Sequence, residues 1–397
     1  LLLPFGGYLS LDLTVPEANT FFMLMGNAHF PVALGCLLIF WSSLIEQEMH
    51  SRGRPHVGRM RAFIAAGVLA NLQPFILALA LIVALGALLV QWFRSRGLSR
   101  ERVIRVSMGV VAGVPIAGYL TLGMMRDPLG AQWLAQNKNF TPHIGYVISA
   151  YGLLWIPAVW GLVSLRRKNA YRAILLVAWV LITLVGLYSP VSFQRRLSLG
   201  LHTAIAASAV LGMIRMEQVV PQTFRERLRR GLLLATIPTN LALILLYSAG
   251  VLTRNPKLYI TLGEAEALAW LDTQVEEVSV VLSSTELAVF IPAFTDHRAV
   301  SGNAFSTPNA KETEAEVDKF FRGSIRADER RRMLQEWGVD YILVGARERA
   351  AGPIALEPDA CIERIGAFRE VELYAVVCPL GFDPHDVELK TDPLAVE

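Results

Sequence analysis

Seven long apolar runs, at 30–45, 61–93, 103–125, 145–165, 172–188, 197–214 and 231–249, constrain this chain more than any other feature. Most approach the ~20 residues that a helix needs to cross a hydrocarbon layer. With 53% apolar and only 18% charged residues in 397, the chain is too apolar for a soluble globular protein of its length. It reads as a membrane protein. The opening "LLLPFGGYLSLDLTV" has neither a basic n-region nor a small-residue cleavage site, so it is not a signal peptide. Beginning at Leu1, the chain is expected to be a fragment lacking an N-terminal part.

Charge divides the chain in two. Residues 1–252 carry 22 Lys and Arg against 8 Asp and Glu, whereas 253–397 carry 15 against 26. The basic part holds the apolar runs, and the acidic part reads as a domain that meets water. The expected organisation is a transmembrane domain over 1–252, an extracytoplasmic α/β domain over 253–380 and a disordered tail over 381–397, where apolar residues are sparse.

The run at 61–93 is too long for one span and short for two, and "NLQPF" interrupts it. The flanking segments are both basic, with Arg52, Arg54 and Arg59 before it and Arg94, Arg96, Arg100 and Arg102 after it. A chain that reverses at 71–73 puts both on the cytoplasmic side, as the positive-inside rule requires, together with the basic loops at 166–172 and 225–230. Pro74 then opens the second arm. The first arm has about twelve apolar residues, or ~18 Å of helix, so the turn should lie within the membrane depth, where non-helical backbone needs a protein or aqueous lining. Asn71 and Gln73 accordingly point to a polar cavity. The other reading of the run is one long kinked helix. The expected fold is thus a multi-span α-helical membrane protein of about eight membrane segments, including a short re-entrant-like hairpin, with a C-terminal extracytoplasmic α/β domain.

In this topology 1–29, 126–144, 189–196 and everything beyond 251 are extracytoplasmic. Arg195 and Arg196 fall outside, where the sorting rule does not account for them. Their planar forks suit a lipid phosphate. His202 follows Arg195 by two helical turns, so Gln194, Arg195 and His202 are expected to line one pocket. Alternatively, the arginines snorkel to ordinary headgroups and His202 is a satisfied core residue. Glu17, Asn19 and His29 in the first outer segment, and Gln136, Asn137 and Asn139 in "AQWLAQNKNFTPH", are groups that hydrogen-bond sugars.

The order "PEANTF", "GNAHFP", "NLQPF", a loop with "QN" before "YGLL", then "SFQRRLSLGLH" and a terminal soluble domain resembles bacterial polytopic glycosyltransferases of the GT-C superfamily, similar to the protein O-mannosyltransferase and aminoarabinose transferase group. The resemblance is one of layout over most of the chain. It implies transfer of a sugar from a polyprenyl-phosphate carrier to an extracytoplasmic acceptor, in the plasma (inner) membrane. It also implies that the usual catalytic carboxylate loop belongs to the missing N-terminal part. On this chain it marks Arg195, Arg196 and His202 as the donor phosphate site. Glu17, then Asp12, are the carboxylates left to hold an acceptor hydroxyl or a divalent cation, although no paired-carboxylate metal motif is present and no metal ligand is assigned. Membrane lipid and the carrier-linked sugar are the expected partners, the acceptor is open, and nucleic acid is not expected.

No nucleotide-binding glycine loop, H-E-x-x-H, C-x-x-C or G-x-S-x-G occurs. A transporter or lipid flippase should show inverted repeats and midplane charge, of which no repeat is found. A membrane sensor with an outer ligand domain stays open as an alternative. Cys361 and Cys378 are both placed outside and can pair. In the acidic part, helices at 263–274, 313–323 and 327–338 alternate with strands at 278–284, 339–345 and 371–377, implying a small α/β sheet. The run Arg330, Arg331 and Arg332 reads as a solvated helix face, and 291–310 as a long polar loop.

Overall fold

The computed structural model describes residues 11–49, 55–165, 170–304, 306–323, 325–354, 356 and 361–377. Arg52, Arg54, the basic loop residues 166–169, Cys378 and the tail 381–397 lie outside them. The chain divides into two compact units, 1–249 and 250–397.

The first unit is all helical: α1 Leu11–Thr14, α2 Thr20–Gly26, α3 His29–Met49, α4 Pro55–Leu72, α5 Pro74–Ser95, α6 Arg100–Arg126, α7 Pro128–Gln136, α8 Ile144–Tyr151, α9 Trp155–Leu165, α10 Tyr171–Gly186, α11 Leu201–Val219, α12 Gln222–Ala235 and α13 Ile237–Leu252. Three short 3-10 turns, Pro16–Ala18, Gly152–Leu154 and Gln194–Ser198, complete it among the described residues. Five segments among the described residues are long and apolar enough to cross a membrane: α5, α6, α8 through α9, Gln194–Val219, and α12 through α13. His29–Ile45 and Tyr171–Gly186 are shorter apolar helices.

The interrupted run forms a hairpin. Only Gln73, extended at φ −149° and ψ 76°, separates α4 from α5. Gly58 meets Arg105 and Gly67 meets Ala112 and Ile116, so α4 runs parallel to α6. Gly113 meets Leu77 while Gln91 accepts from Arg102, so α5 runs antiparallel to α6. The two arms are therefore antiparallel to each other. The expected twelve-residue first arm is corrected to 18 residues, about 27 Å of helix, because Pro55 starts the helix upstream of the apolar run.

Basic groups gather at the far end of this hairpin. Arg102 donates to the Leu44 carbonyl at 3.3 Å and lies 4.5 Å above the Tyr171 ring, Arg105 donates to the Ser43 carbonyl, and Arg59 pairs with Glu101. Arg102 and Arg105 are buried, so arginine cross-links α3 to α6 inside the helix bundle. Elsewhere glycine lets helices touch. A Cβ at Gly212 would sit 1.7 Å from the Pro157 carbonyl oxygen and one at Gly161 2.1 Å from that of Ser208, so α9 and α11 cross in backbone contact.

The second unit carries α14 Leu262–Gln274, β1 Val280–Leu282, α15 Thr285–Ala288, α16 Ile291–Phe294, β2 Arg298–Ala299, α17 Ala310–Phe321, α18 Ala327–Trp337, β3 Tyr341–Val344, α19 Ala346–Ala351, β4 Ile362–Phe368 and β5 Val371–Val376. The sheet order is β2-β1-β3-β5-β4, parallel among the first three and antiparallel at β3/β5 and β5/β4. Alternation sends Leu282, Ile342, Val344 and Tyr374 toward Phe320 and Leu334, and Val281, Leu343 and Leu373 toward Leu268 and Leu271. Helices thus cover both faces, as the sequence implied. Gly323 and Gly338 follow their helices at φ +68° and +60°, the left-handed geometry that closes a helix end. Two strands were not anticipated: β2 falls in the expected polar loop, and β4 lies between the last two expected strands. Glu264, 1% exposed, caps α14 with Thr261 and pairs with Arg347 at 2.7 Å. Cys361 is buried and disulfide-bonded.

Candidate functional site

Pro16 fixes the first position of the turn Pro16–Ala18, and Asn19 ends it by accepting from the Phe21 and Phe22 backbone N–H groups at 2.9 and 3.3 Å to cap α2. Asn19 is thus a helix cap as well as a candidate ligand. The turn Pro16–Ala18 packs on the turn Gln194–Ser198. Half-buried Glu17 consequently lies within the electrostatic reach of Arg196, Arg195 and His29. Burial pushes the Glu17 carboxyl above its ordinary range, and a backbone hydrogen bond and those three cationic groups only partly offset it.

Two loops are laced together beside the arginines. The Asn139 N–H donates to the Ser192 carbonyl at 2.6 Å, the Arg195 N–H to the Asn139 carbonyl at 2.9 Å, and Arg195 Nη2 to Asn139 Oδ1 at 2.9 Å. Gln194 accepts from the Thr141 N–H at 3.1 Å through its side-chain oxygen and donates its amide to the Ser189 carbonyl. Gln194 therefore staples the loops. Asn139, buried at 6% exposure, fixes Arg195. The sequence drew attention to Asn139 together with Gln136 and Asn137, and nothing in composition separates it from them.

Arg196 stands at one end of an apolar groove of about 800 Å³ between α5, α6 and α7. Its guanidinium lies 5.6 Å from the centre of the Phe75 ring, which stacks on Phe193 at 5.4 Å. Trp133 and Asn137 join it at that end, while Leu81, Ile82, Val114 and Leu122 line the rest. Asn71 is exposed and Gln73 buried at the hairpin turn; neither lines this groove. The polar cavity expected from these two amides is replaced by an apolar groove that begins at Pro74. His29, at the start of α3, is exposed and lies against Phe30.

His202 does not share a pocket with Arg195 in the expected way. The helix is interrupted, because Leu199 is extended and Gly200 takes φ +85°, with a Cβ there reaching to 2.8 Å from Trp179. The two-turn spacing consequently does not keep the two side chains on one face. His202 instead stacks on Tyr151, ring centres 6.0 Å apart, and its Nδ1 accepts the Thr20 N–H at 3.2 Å. It lines a second cavity of about 470 Å³ together with Asp12, Asn19, Tyr151 and Thr239. Among the described residues no cluster of three His, Cys, Asp or Glu is arranged to hold a metal ion.

No known family profile matches the sequence, and no curated protein matches it. Among solved structures the chain is similar to the Archaeoglobus fulgidus oligosaccharyltransferase tethered to an acceptor peptide containing the NVT sequon, with 12% identity and a TM-score of 0.38 over 80% of this chain and 44% of that one. It is also similar to AglB, the oligosaccharyltransferase of the same archaeon, in complex with an inhibitory peptide and a dolichol-phosphate, with 13% identity and a TM-score of 0.36 over 79% and 45%. The chain spans less than half the length of either. At these scores the likeness is one of loose helical layout, and function has to be argued from the geometry of this chain itself.

Proposed function

We propose that this chain is part of a membrane glycosyltransferase that takes a sugar from a polyprenyl-phosphate carrier and passes it to an extracytoplasmic acceptor. The observation that carries this reading is the apolar groove ending at Arg196, beside Arg195 and Glu17. An isoprenoid chain needs a long apolar channel, and its phosphate needs a fixed cation at the channel's end. The groove offers both.

The reaction follows from the groups at that end. The acceptor oxygen attacks the anomeric carbon, the bond from that carbon to the phosphate oxygen breaks, and the electron pair leaves on the lipid phosphate. Arg196 and Arg195 stabilise the growing negative charge, in a setting where little water competes. Ionised Glu17 accepts the acceptor's proton. Asn139 holds Arg195 in place, and Gln136, Asn137 and His29 are the groups proposed to meet sugar hydroxyls. The hairpin turn, with Asn71 and Gln73, supports the groove from the end where it opens at Pro74.

The same reading places the chain in the plasma (inner) membrane with about eight segments: the five long spans, the two shorter apolar helices and α4. Residues 253–380 are then extracytoplasmic. A reporter fused after Ser99 should be cytoplasmic and one after Thr253 extracytoplasmic; both on one side would overturn that topology.

The test of function is binding of undecaprenyl phosphate to the protein in lipid nanodiscs, compared with the Arg195→Ala, Arg196→Ala double variant. Two charge-assisted hydrogen bonds at about 1.5–3 kcal/mol each predict a loss of about 100-fold or more. Equal binding in a folded variant would remove the donor-site reading.

A further inference from the structure

The second cavity has a charge problem that the donor site does not solve. Asp12 is 3% exposed, and its Oδ2 accepts from the Thr239 hydroxyl at 2.7 Å. Its other oxygen, Oδ1, is buried and takes no hydrogen bond among the described residues. A buried carboxylate oxygen without a donor is costly and is normally paired. Among the described residues no lysine or arginine lines the cavity.

The histidine there does not pair with the orphan oxygen. Its Nδ1 is engaged by Thr20, whose backbone N–H lies at 3.2 Å and whose hydroxyl lies at 2.9 Å. Tyr151 donates its hydroxyl to the Ala18 carbonyl at 3.2 Å, leaving the phenol oxygen only as an acceptor. Asp12 is near enough for its charge to act on both rings. Beyond this polar floor the walls are apolar, formed by side chains such as Leu154, Val210, Met213 and Leu233.

The geometry points to a second binding site, built on Asp12, Tyr151 and His202, for an organic ammonium group carried on an apolar body. The ammonium donates to Asp12 Oδ1 and presents its face to the stacked Tyr151 and His202 rings, while the apolar body follows the cavity wall. A neutral hydroxyl satisfies the orphan oxygen but leaves the carboxylate charge without a counterion, so the cation is the better complement. This site goes beyond the donor reading and does not depend on it.

The experiment compares octylamine with octanol, two probes that share a tail and differ in the head group, at matched free concentration on the protein in nanodiscs. Wild type should bind octylamine at least tenfold more tightly than octanol, and Asp12→Asn should bring octylamine down to the octanol level. Octanol equal to octylamine on wild type, or octylamine binding unchanged by Asp12→Asn, would overturn the assignment. Undecaprenyl-phosphate binding measured on the same samples reports the groove separately, so failure of either site is distinguishable from failure of the other. If Asp12→Asn does not fold, Ala206→Phe, which fills the cavity from α11, should abolish octylamine binding. Retained binding in that variant equally overturns the proposal.

Discussion

Two cavities of the helical unit carry opposite charge. Glu17 lies within the electrostatic reach of Arg195 and Arg196, whereas Ala18 and Asn19, its immediate successors, line the cavity of Asp12. At the groove the cations outnumber the nearby carboxylate. At the second cavity a carboxylate stands without a cation. The difference shows that polar residues read from one segment need not serve one ligand, because a 3-10 turn can deliver consecutive residues to separate sites.

The largest way to break this contrast is mechanical. Gly212→Leu forces a side chain into the Pro157 carbonyl and should destabilise the helical unit by about 3 kcal/mol, seen as a lower melting temperature in detergent. Because Pro157 and Met213 also line the second cavity, octylamine binding should be lost before groove binding. An unchanged melting temperature would mean that α9 and α11 do not cross this closely.

The next effect is electrostatic. As pH rises through the elevated pKa of Glu17, the newly ionised carboxylate competes with phosphate for Arg195 and Arg196, so undecaprenyl-phosphate binding should weaken, by up to about tenfold for a 1.4 kcal/mol interaction. Glu17→Gln should bind more tightly at the high end and flatten this component of the profile. Identical profiles would separate Glu17 from the arginines. Asn139→Ala should then cost about fivefold in the same assay by releasing one hydrogen bond to Arg195, with octylamine binding unaffected. Smallest is Phe75→Leu, which removes a cation–π contact of about 0.5–1 kcal/mol and should weaken donor binding two- to fivefold.

Much of the architecture was legible in the sequence because apolar run length and charge sorting are direct physical signals. The hairpin at Gln73 followed from two basic flanks and one proline. Gly338 marked a helix end because a left-handed residue there is best tolerated as glycine. Other features left no such trace. Gly200 reads as one more small residue inside an apolar run, yet its positive φ, forced beside Trp179, separates His202 from Arg195. Asn139 looks like its neighbours Gln136 and Asn137, and only the approach of the two loops selects it. Strand β4 is mostly exposed and places Glu363 and Arg364 side by side, so it lacks the alternation that identifies a half-buried strand. The pairing of Asp12 with Thr239 spans 227 positions, and no local pattern records a contact made between a short helix and a distant span.

The hairpin turn has one further consequence. Helix α4 ends at Leu72 and α5 begins at Pro74, so the negative pole of one macrodipole and the positive pole of the next meet at Gln73, whose N–H donates to the Leu69 carbonyl and whose carbonyl accepts from Ile76 and Leu77. The opposed poles offset each other at the mouth of the groove. The anion binding proposed there therefore rests on guanidinium side chains, not on backbone, and on residues that a single codon can change.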